Sequence, residues 1–311
     1  MADFEIAGHE IPPGVRSEIM IDIGRLPDFT EVDMRVKVIR GVEDGPTVFV
    51  TACIHGDEVN GLEVVRKLGR ALNPQELAGT VILVPIVNVF GFIQKSRYLP
   101  DRRDLNRSFP GSTRGSMASQ LANKVIEHVV CKSDVGIDLH TGPEGRFNLP
   151  QAWVNHEWPE ARELAQAFGM PYTLKDSPRD GSLRKAAQGL GVPVVLFEGG
   201  EGLRFEKPAI QQAFEGVLRV LGAKGMIEKM PETETIWVEN TRWVRARRAG
   251  VLRPKVRSGD QVEESMSLGS VGDPFGSKLF KISAPKSGVV LSHATSPLVN
   301  KGDAIFRIGT L

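Results

Sequence analysis

A histidine and a glutamate, both common metal ligands, stand three apart in His55-Gly56-Asp57-Glu58. Residues at that spacing on a turn or a first helical turn can point the same way, so an imidazole nitrogen and a carboxylate oxygen can meet one ion. Zinc takes such mixed ligands, and a catalytic zinc needs a third with one position left for water. Asp138-Leu139-His140-Thr141-Gly142 offers that third ligand in His140. Alone, the His-x-x-Glu pair is a weak signal and reads better as a helix-capping turn with solvated polar residues; the second motif turns the reading toward metal. Between them, residues 97–111 carry Arg97, Arg102, Arg103, Asn106 and Arg107, the groups a site for a carboxylate substrate would use. A further carboxylate, Glu198, leaves the apolar run Val192–Phe197 just before Gly199-Gly200.

Each of these groups sits where a strand hands over to a turn. Thr47-Val48-Phe49-Val50 reads as a buried strand ahead of His55, and Leu62–Leu72 has helical spacing behind it. Val135-Gly136-Ile137 is a second such strand and Val192–Phe197 a third. Open α/β sheets keep their ligands at the carboxyl ends of their strands. Met34–Gly41 alternates like a half-buried strand, and Gly79–Asn88 reads as a buried one. Residues 1–30 read as an edge strand with loops. Amphipathic patterns predict helices over Ser116–Val130, Pro159–Phe168, Ser182–Leu190 and Ile210–Leu221. Alternating strands and helices predict a mixed, mostly parallel sheet with helices on both faces.

The set His55-Gly-Asp-Glu58, Asp104-Leu-Asn106-Arg107, Asp138-Leu-His140 and Phe197-Glu198 resembles the succinylglutamate desuccinylase and aspartoacylase family, a branch of the zinc carboxypeptidase fold. The resemblance spans roughly residues 30–225, with four motifs in order. It implies one Zn2+ per chain on His55, Glu58 and His140. By the same resemblance Asp104 accepts a hydrogen bond from the ring of His55, although a surface ion pair with Arg102 or Arg103 is the bland alternative. Glu198 would act as general base and then acid, against the alternative of a capping carboxylate after a strand. Asn106 and Arg107 would hold the substrate's carboxylate. Arg97 is the candidate for stabilising the oxyanion, with Arg102 competing for that role. His156 is either a pocket residue or a surface histidine; His9, His128 and His293 read as structural or solvated.

The implied function is a zinc amidohydrolase that deacylates a small N-acyl amino acid through zinc-activated water. A zinc carboxypeptidase acting on peptides is the alternative, and a non-catalytic binding protein of the same fold comes third. A net charge of +1 gives no electrostatic case for nucleic acid or an anionic membrane. No apolar run approaches the roughly 20 residues needed to span a bilayer, and no secretory signal is visible, which points to the cytoplasm. Cys53 and Cys131 lie in apolar contexts and read as buried free thiols. Monomer and homo-oligomer both stay open.

Beyond about residue 230 the texture becomes all-β, predicting a hydrolase domain over 1–230 and a small C-terminal domain over 231–311. Two stretches of it look alike: Gly250-Val251-Leu252 followed by Val256-Arg257-Ser258-Gly259-Asp260, and Gly288-Val289-Val290 followed by Val299-Asn300-Lys301-Gly302-Asp303. The duplication resembles the halves of biotinyl- and lipoyl-type barrel-sandwich domains. In those carriers a lysine sits at the hairpin tip, whereas here the tip is Gly272-Asp273-Pro274-Phe275-Gly276, with Lys278 and Lys281 off it. The module therefore reads as structural, or as a lid over the active site, and not as a swinging arm.

Overall fold

The computed structural model describes residues 4–310. Its centre is four parallel strands, in the order Val194–Glu201, Val135–Gly142, Glu43–Ala52, Ala78–Val84. Side chains alternate across these strands. Val48, Val50, Val81, Leu83, Ile137 and Leu139 enter one apolar core with the helices Asn60–Ala71, Pro159–Phe168 and Lys207–Ala223. Phe49, Ile82 and Val84 enter a second core with the helices Met117–His128 and Leu183–Gly189. Buried on both faces, these strands lack the polar alternation of a surface sheet, which is why their sequences read as continuous apolar runs. Ser116 and Ser182 cap their helices by accepting from Ser119 N and Lys185 N.

The sheet is mixed, as expected, but it is parallel mainly at its centre, and the expectation of mostly parallel pairing needs correction. On one side, Ala78–Val84 pairs antiparallel with Glu31–Arg40, which pairs antiparallel with the edge strand Val15–Arg25. On the other, Val194–Glu201 pairs antiparallel with Arg146–Val154. Short connectors set these directions, because with few residues at 25–31, 40–43 and 142–146 the chain can only double back. Glu31–Arg40 thus runs against Val15–Arg25 and Glu43–Ala52, and Arg146–Val154 runs against Val135–Gly142, and therefore against the parallel strands beside each.

Strand pairing then continues into the C-terminal segment. Arg146–Val154 pairs with Gly288–Ala294, which pairs with Ala304–Thr310, which pairs with Asn240–Arg245, all antiparallel. A four-stranded sheet of Leu279–Ser283, Ser267–Gly272, Gly250–Pro254 and Leu298–Val299 lies beside it, and the segment has an apolar core of its own around Leu268, Ile305 and Phe306. The two similar stretches fold alike at their turns. Asp260 accepts from Arg257 N at 2.8 Å and Asp303 from Asn300 N at 2.7 Å, each after a glycine near φ +100. Phe275 stands exposed at the hairpin tip.

Both cysteines are free, but only Cys53 is buried. Cys131 is exposed because Val129 and Val130 take the core positions at the end of their helix and turn the next side chain outward. Among the described residues, no helix is long and apolar enough to cross a membrane.

Candidate metal centre and active site

His55 and Glu58 are presented by a turn that the neighbouring chain pins in place. Ala52 O and Cys53 O accept from Val87 N and Asn88 N at 3.0 and 2.9 Å, and Cys53 takes a left-handed φ of 53° to leave the strand. Glu58 N donates to His55 O at 3.1 Å, which closes the turn and brings both side chains to one side. Gly56 has to be glycine, since a Cβ there would lie 2.0 Å from the backbone carbon of Gly91. His140 comes from the adjacent strand, with Leu139 in register with Ala52. Glu198 stands directly opposite His140 on the next strand along.

The three expected ligands converge. Their ligand atoms lie within 4.8 Å of one another, and all three residues are buried. Nδ1 of His55 is 2.7 Å from Glu58 Oε1, and Nδ1 of His140 is 2.7 Å from Glu58 Oε2. The outward nitrogens are also taken: His55 Nε2 is 3.2 Å from Asp104 Oδ1, and His140 Nε2 is 2.9 Å from Asp138 Oδ2. With each Nε2–H donating to its aspartate, both Nδ1 lone pairs face the oxygens of Glu58. Acceptors that close repel unless positive charge lies among them, as protons or as a metal ion. Two imidazoles and a carboxylate, with the imidazoles anchored from behind by carboxylates, are a donor set that fits zinc.

The electrostatics agree with that demand for positive charge. Burial works to discharge the two rings, yet Glu58 and Asp104 hold His55 above its usual pKa, and Asp138 and Glu58 hold His140 well above it. Burial likewise works to raise Glu58, but the two rings hold it well below the usual carboxylate range. Protons and a metal ion would compete for one place, so metal affinity falls as the pH falls.

Arg97 reaches the same spot. Its Nη2 and Nε donate to Asp104 Oδ2 at 2.8 and 3.1 Å, and its Nη1 lies 3.2 Å from His55 Nδ1 and 3.5 Å from Glu58 Oε1. Asp104 therefore bonds His55 and Arg97 together, and does not make the surface ion pair with Arg102 or Arg103. Arg102 is exposed and lies outside the cavity. Asn106 is buried and its Oδ1 accepts from Leu183 N at 2.9 Å, which leaves its Nδ2 as the donor for the cavity. Arg107 lines the cavity as well, its Nη1 donating to Asn106 O. His156 lies outside it, half-buried against Trp237 at 5.0 Å between ring centroids.

The cavity measures about 280 Å³ and takes in His55, Glu58, Arg97, His140 and Glu198. Burial and the charge of Glu58 push the Glu198 carboxyl up to about 7, against the pull of His140 and of Asn148. Asn148 Nδ2 donates to Glu198 Oε2 at 2.8 Å, a bond that favours the charged form. If Glu198 acts as a base, Asn148→Leu should raise its pKa and move the acidic limb of the kcat/KM profile upward by about one pH unit. An unmoved limb with a lowered plateau would show that Asn148 does not act through Glu198.

Sequence reasoning missed Asp138 as the partner of His140, although Asp-x-His on a strand puts both side chains on one face and could have revealed it. It also missed Asn148, Arg146, Trp153, Trp243 and Arg307. All five line the cavity, and their places depend on sheet order, which local sequence does not carry.

Known proteins resemble this chain over much of its length. The succinylglutamate desuccinylase/aspartoacylase catalytic domain aligns with residues 44–223. An N-alpha-acetyl-L-2,4-diaminobutyric acid deacetylase of Halomonas elongata is 29% identical over 279 residues, covering 84% of this chain and 81% of that protein. A succinylglutamate desuccinylase/aspartoacylase structure from Rhodobacter sphaeroides superposes with a TM-score of 0.85 at 26% identity, covering 94% of this chain and 95% of that one. The product-bound ectoine utilization protein EutE (DoeB) of Ruegeria pomeroyi shares the fold, with a TM-score of 0.87 at 24% identity over 97% of both chains. With more than half of its length matched to that catalytic domain, the chain belongs to the succinylglutamate desuccinylase/aspartoacylase family.

Proposed function

We propose that this chain is a zinc-dependent amidohydrolase that removes the acyl group from a small N-acyl amino acid. The observation that carries the reading is a buried His-Glu-His donor set facing a carboxylate whose pKa is pushed to about 7, inside an arginine-lined cavity of about 280 Å³. The Halomonas elongata relative, a deacetylase of an N-acylated diamino acid, supports it.

A zinc ion on His55, Glu58 and His140 would supply Lewis acidity, lowering the pKa of water to about 7 and polarising a carbonyl. The chain's own residues do the rest. Asp104 and Asp138 hold the two imidazoles with Nδ1 turned inward. Glu198 accepts a proton from the attacking water and returns it to the leaving amine nitrogen, a role suited to a pKa near neutrality. Arg97, fixed by two bonds to Asp104, donates to the oxygen of the scissile carbonyl as it gains charge. Arg107 and the Nδ2 of Asn106 hold the α-carboxylate. We assign residues 1–230 the hydrolase role and residues 231–311 that of a wall closing the cavity, since Trp243 and Arg307 line it.

That closure favours deacylation over carboxypeptidase action. The cavity lies at or below the lower end of ligand pockets, about 300–1,000 Å³, which leaves little room for a peptide. The test is a panel of N-acetyl, N-formyl and N-succinyl amino acids beside short peptides and α-amides of the same substrates. Free-acid N-acyl amino acids should be turned over at least tenfold faster, in kcat/KM, than peptides or amides. Preference for peptides would make the chain a carboxypeptidase instead.

A further inference from the structure

The large sheet ends in a long strand whose outer edge is unpaired. Val15–Arg25 bonds to Glu31–Arg40 on one side. Among the described residues, no backbone–backbone bond reaches its other side between Arg16 and Asp22. The ladder with Glu31–Arg40 is regular over that stretch and shifts only after Asp22. Ile19 and Ile21 enter the second core, while Arg16, Glu18, Met20 and Asp22 stand exposed on the other face, Met20 at 63%. Proline and bulges are common devices for blunting such an edge, and the stretch from Arg16 to Asp22 has neither.

The charges on this edge are unbalanced within one chain. Glu18 pairs with Lys37 at 2.9 Å, but Asp22 stands directly opposite Asp33, and like charges at opposed positions destabilise a sheet. Among the described residues, Arg16, Asp22 and Asp33 have no ion-pair partner. Arg16 gives Nη2 to Leu72 O, which leaves its other donors for an anion. Asp22 Oδ1 accepts from Gly24 N at 2.9 Å, which leaves Oδ2 for a cation. Turned end for end about Ile19, the stretch sets Asp22 against Arg16, Met20 against Glu18 and Ile21 against Ser17. A slip of one residue would turn the apolar side chains to the wrong face. Centring on Glu18 sets that carboxylate against itself, and centring on Met20 sets Glu18 against Asp22. Centring on Ser17 sets Arg16 against Glu18, which already holds Lys37, and leaves Asp22 beyond the pairing.

We propose that this edge pairs antiparallel with the same edge of a second copy of the chain, centred on Ile19. Arg16 of each chain then meets Asp22 of the other, next to Asp33, and the two large sheets join across a two-fold axis. The outward N–H and C=O groups of both strands gain partners, and the repulsion between Asp22 and Asp33 is offset. The contact uses none of the residues that line the catalytic cavity, so it stands apart from the reaction proposed above.

Sedimentation velocity of the full chain at low salt is the test. The mass should rise from 34.0 kDa toward twice that value as the protein is concentrated from about 1 to about 100 µM. Arg16→Asp and Asp22→Arg, each alone, set like charges against one another at both ends of the pairing, and each should weaken association at least tenfold. The two combined restore opposite charges and should recover the dimer. Hydrogen exchange on the wild type gives a reading that needs no variant: amides between Arg16 and Asp22 should exchange more slowly at the higher concentration. Circular dichroism identifies a variant that has not folded, and the exchange measurement then decides. A wild type that stays at 34.0 kDa overturns the proposal, as do edge amides that exchange equally at both concentrations. Single variants that associate as the wild type does, or a folded double variant that stays monomeric, overturn it as well.

Discussion

Replacing His140 by alanine is expected to strip metal and activity together. His140 supplies one of only two imidazoles in the donor set, and its Nδ1 is 2.7 Å from the shared Glu58. Alanine leaves two donors, too few for the three-ligand catalytic zinc sites from which water is activated. The substitution also releases Asp138, whose Oδ2 is 2.9 Å from His140 Nε2, into a buried environment where an unpaired carboxylate is unfavourable. Metal content measured by atomic spectroscopy should fall from about one per chain to well below a tenth, and kcat should fall to background. A His140→Ala protein that keeps its zinc would remove His140 from the ligand set.

Glu198→Gln should do the opposite to the metal and nearly the same to turnover. Glutamine keeps the size of the side chain and can still bond to Asn148, but it has no basic oxygen to take a proton from water. The loss expected of a general acid–base group is roughly 10²–10⁴ in kcat. Zinc should stay bound, because Glu198 stands opposite His140 and lies outside the His55, Glu58, His140 cluster. Loss of the metal in this variant would make Glu198 a ligand and leave the base unassigned.

The two substitutions probe parts of the site that were not equally legible in the sequence. His55 and Glu58 are three apart in one turn, so their convergence is a local property of spacing and needs no knowledge of the sheet. His140 and Glu198 could be placed at strand ends because continuous apolar runs mark strands buried on both faces. That they stand directly opposite one another follows only from strand order. The extent of antiparallel pairing in the sheet was hidden for a related reason. An apolar run has the same appearance whichever way its neighbour runs, and only the short connectors at 25–31, 40–43 and 142–146 carried the sign. Trp243 and Arg307 were furthest from reach. Each belongs to a segment whose texture changes after residue 230, and each enters the cavity because that segment's strands extend the same sheet. Arg97 and Arg102 were equivalent as letters in an arginine-rich loop. The two bonds that Arg97 donates to Asp104 separate them.

The central claim is that a metal ion at His55, Glu58 and His140 powers hydrolysis of an N-acyl amino acid. Its most direct test is to strip the wild-type protein with a chelator and add Zn2+ back in fractions of an equivalent, following release of free amine from the best substrate of the acyl panel. The account predicts no activity without metal and a linear recovery that breaks at about one zinc per chain. Full activity in the metal-free protein, or zinc bound at one equivalent with no hydrolysis of any N-acyl amino acid or peptide, would contradict it.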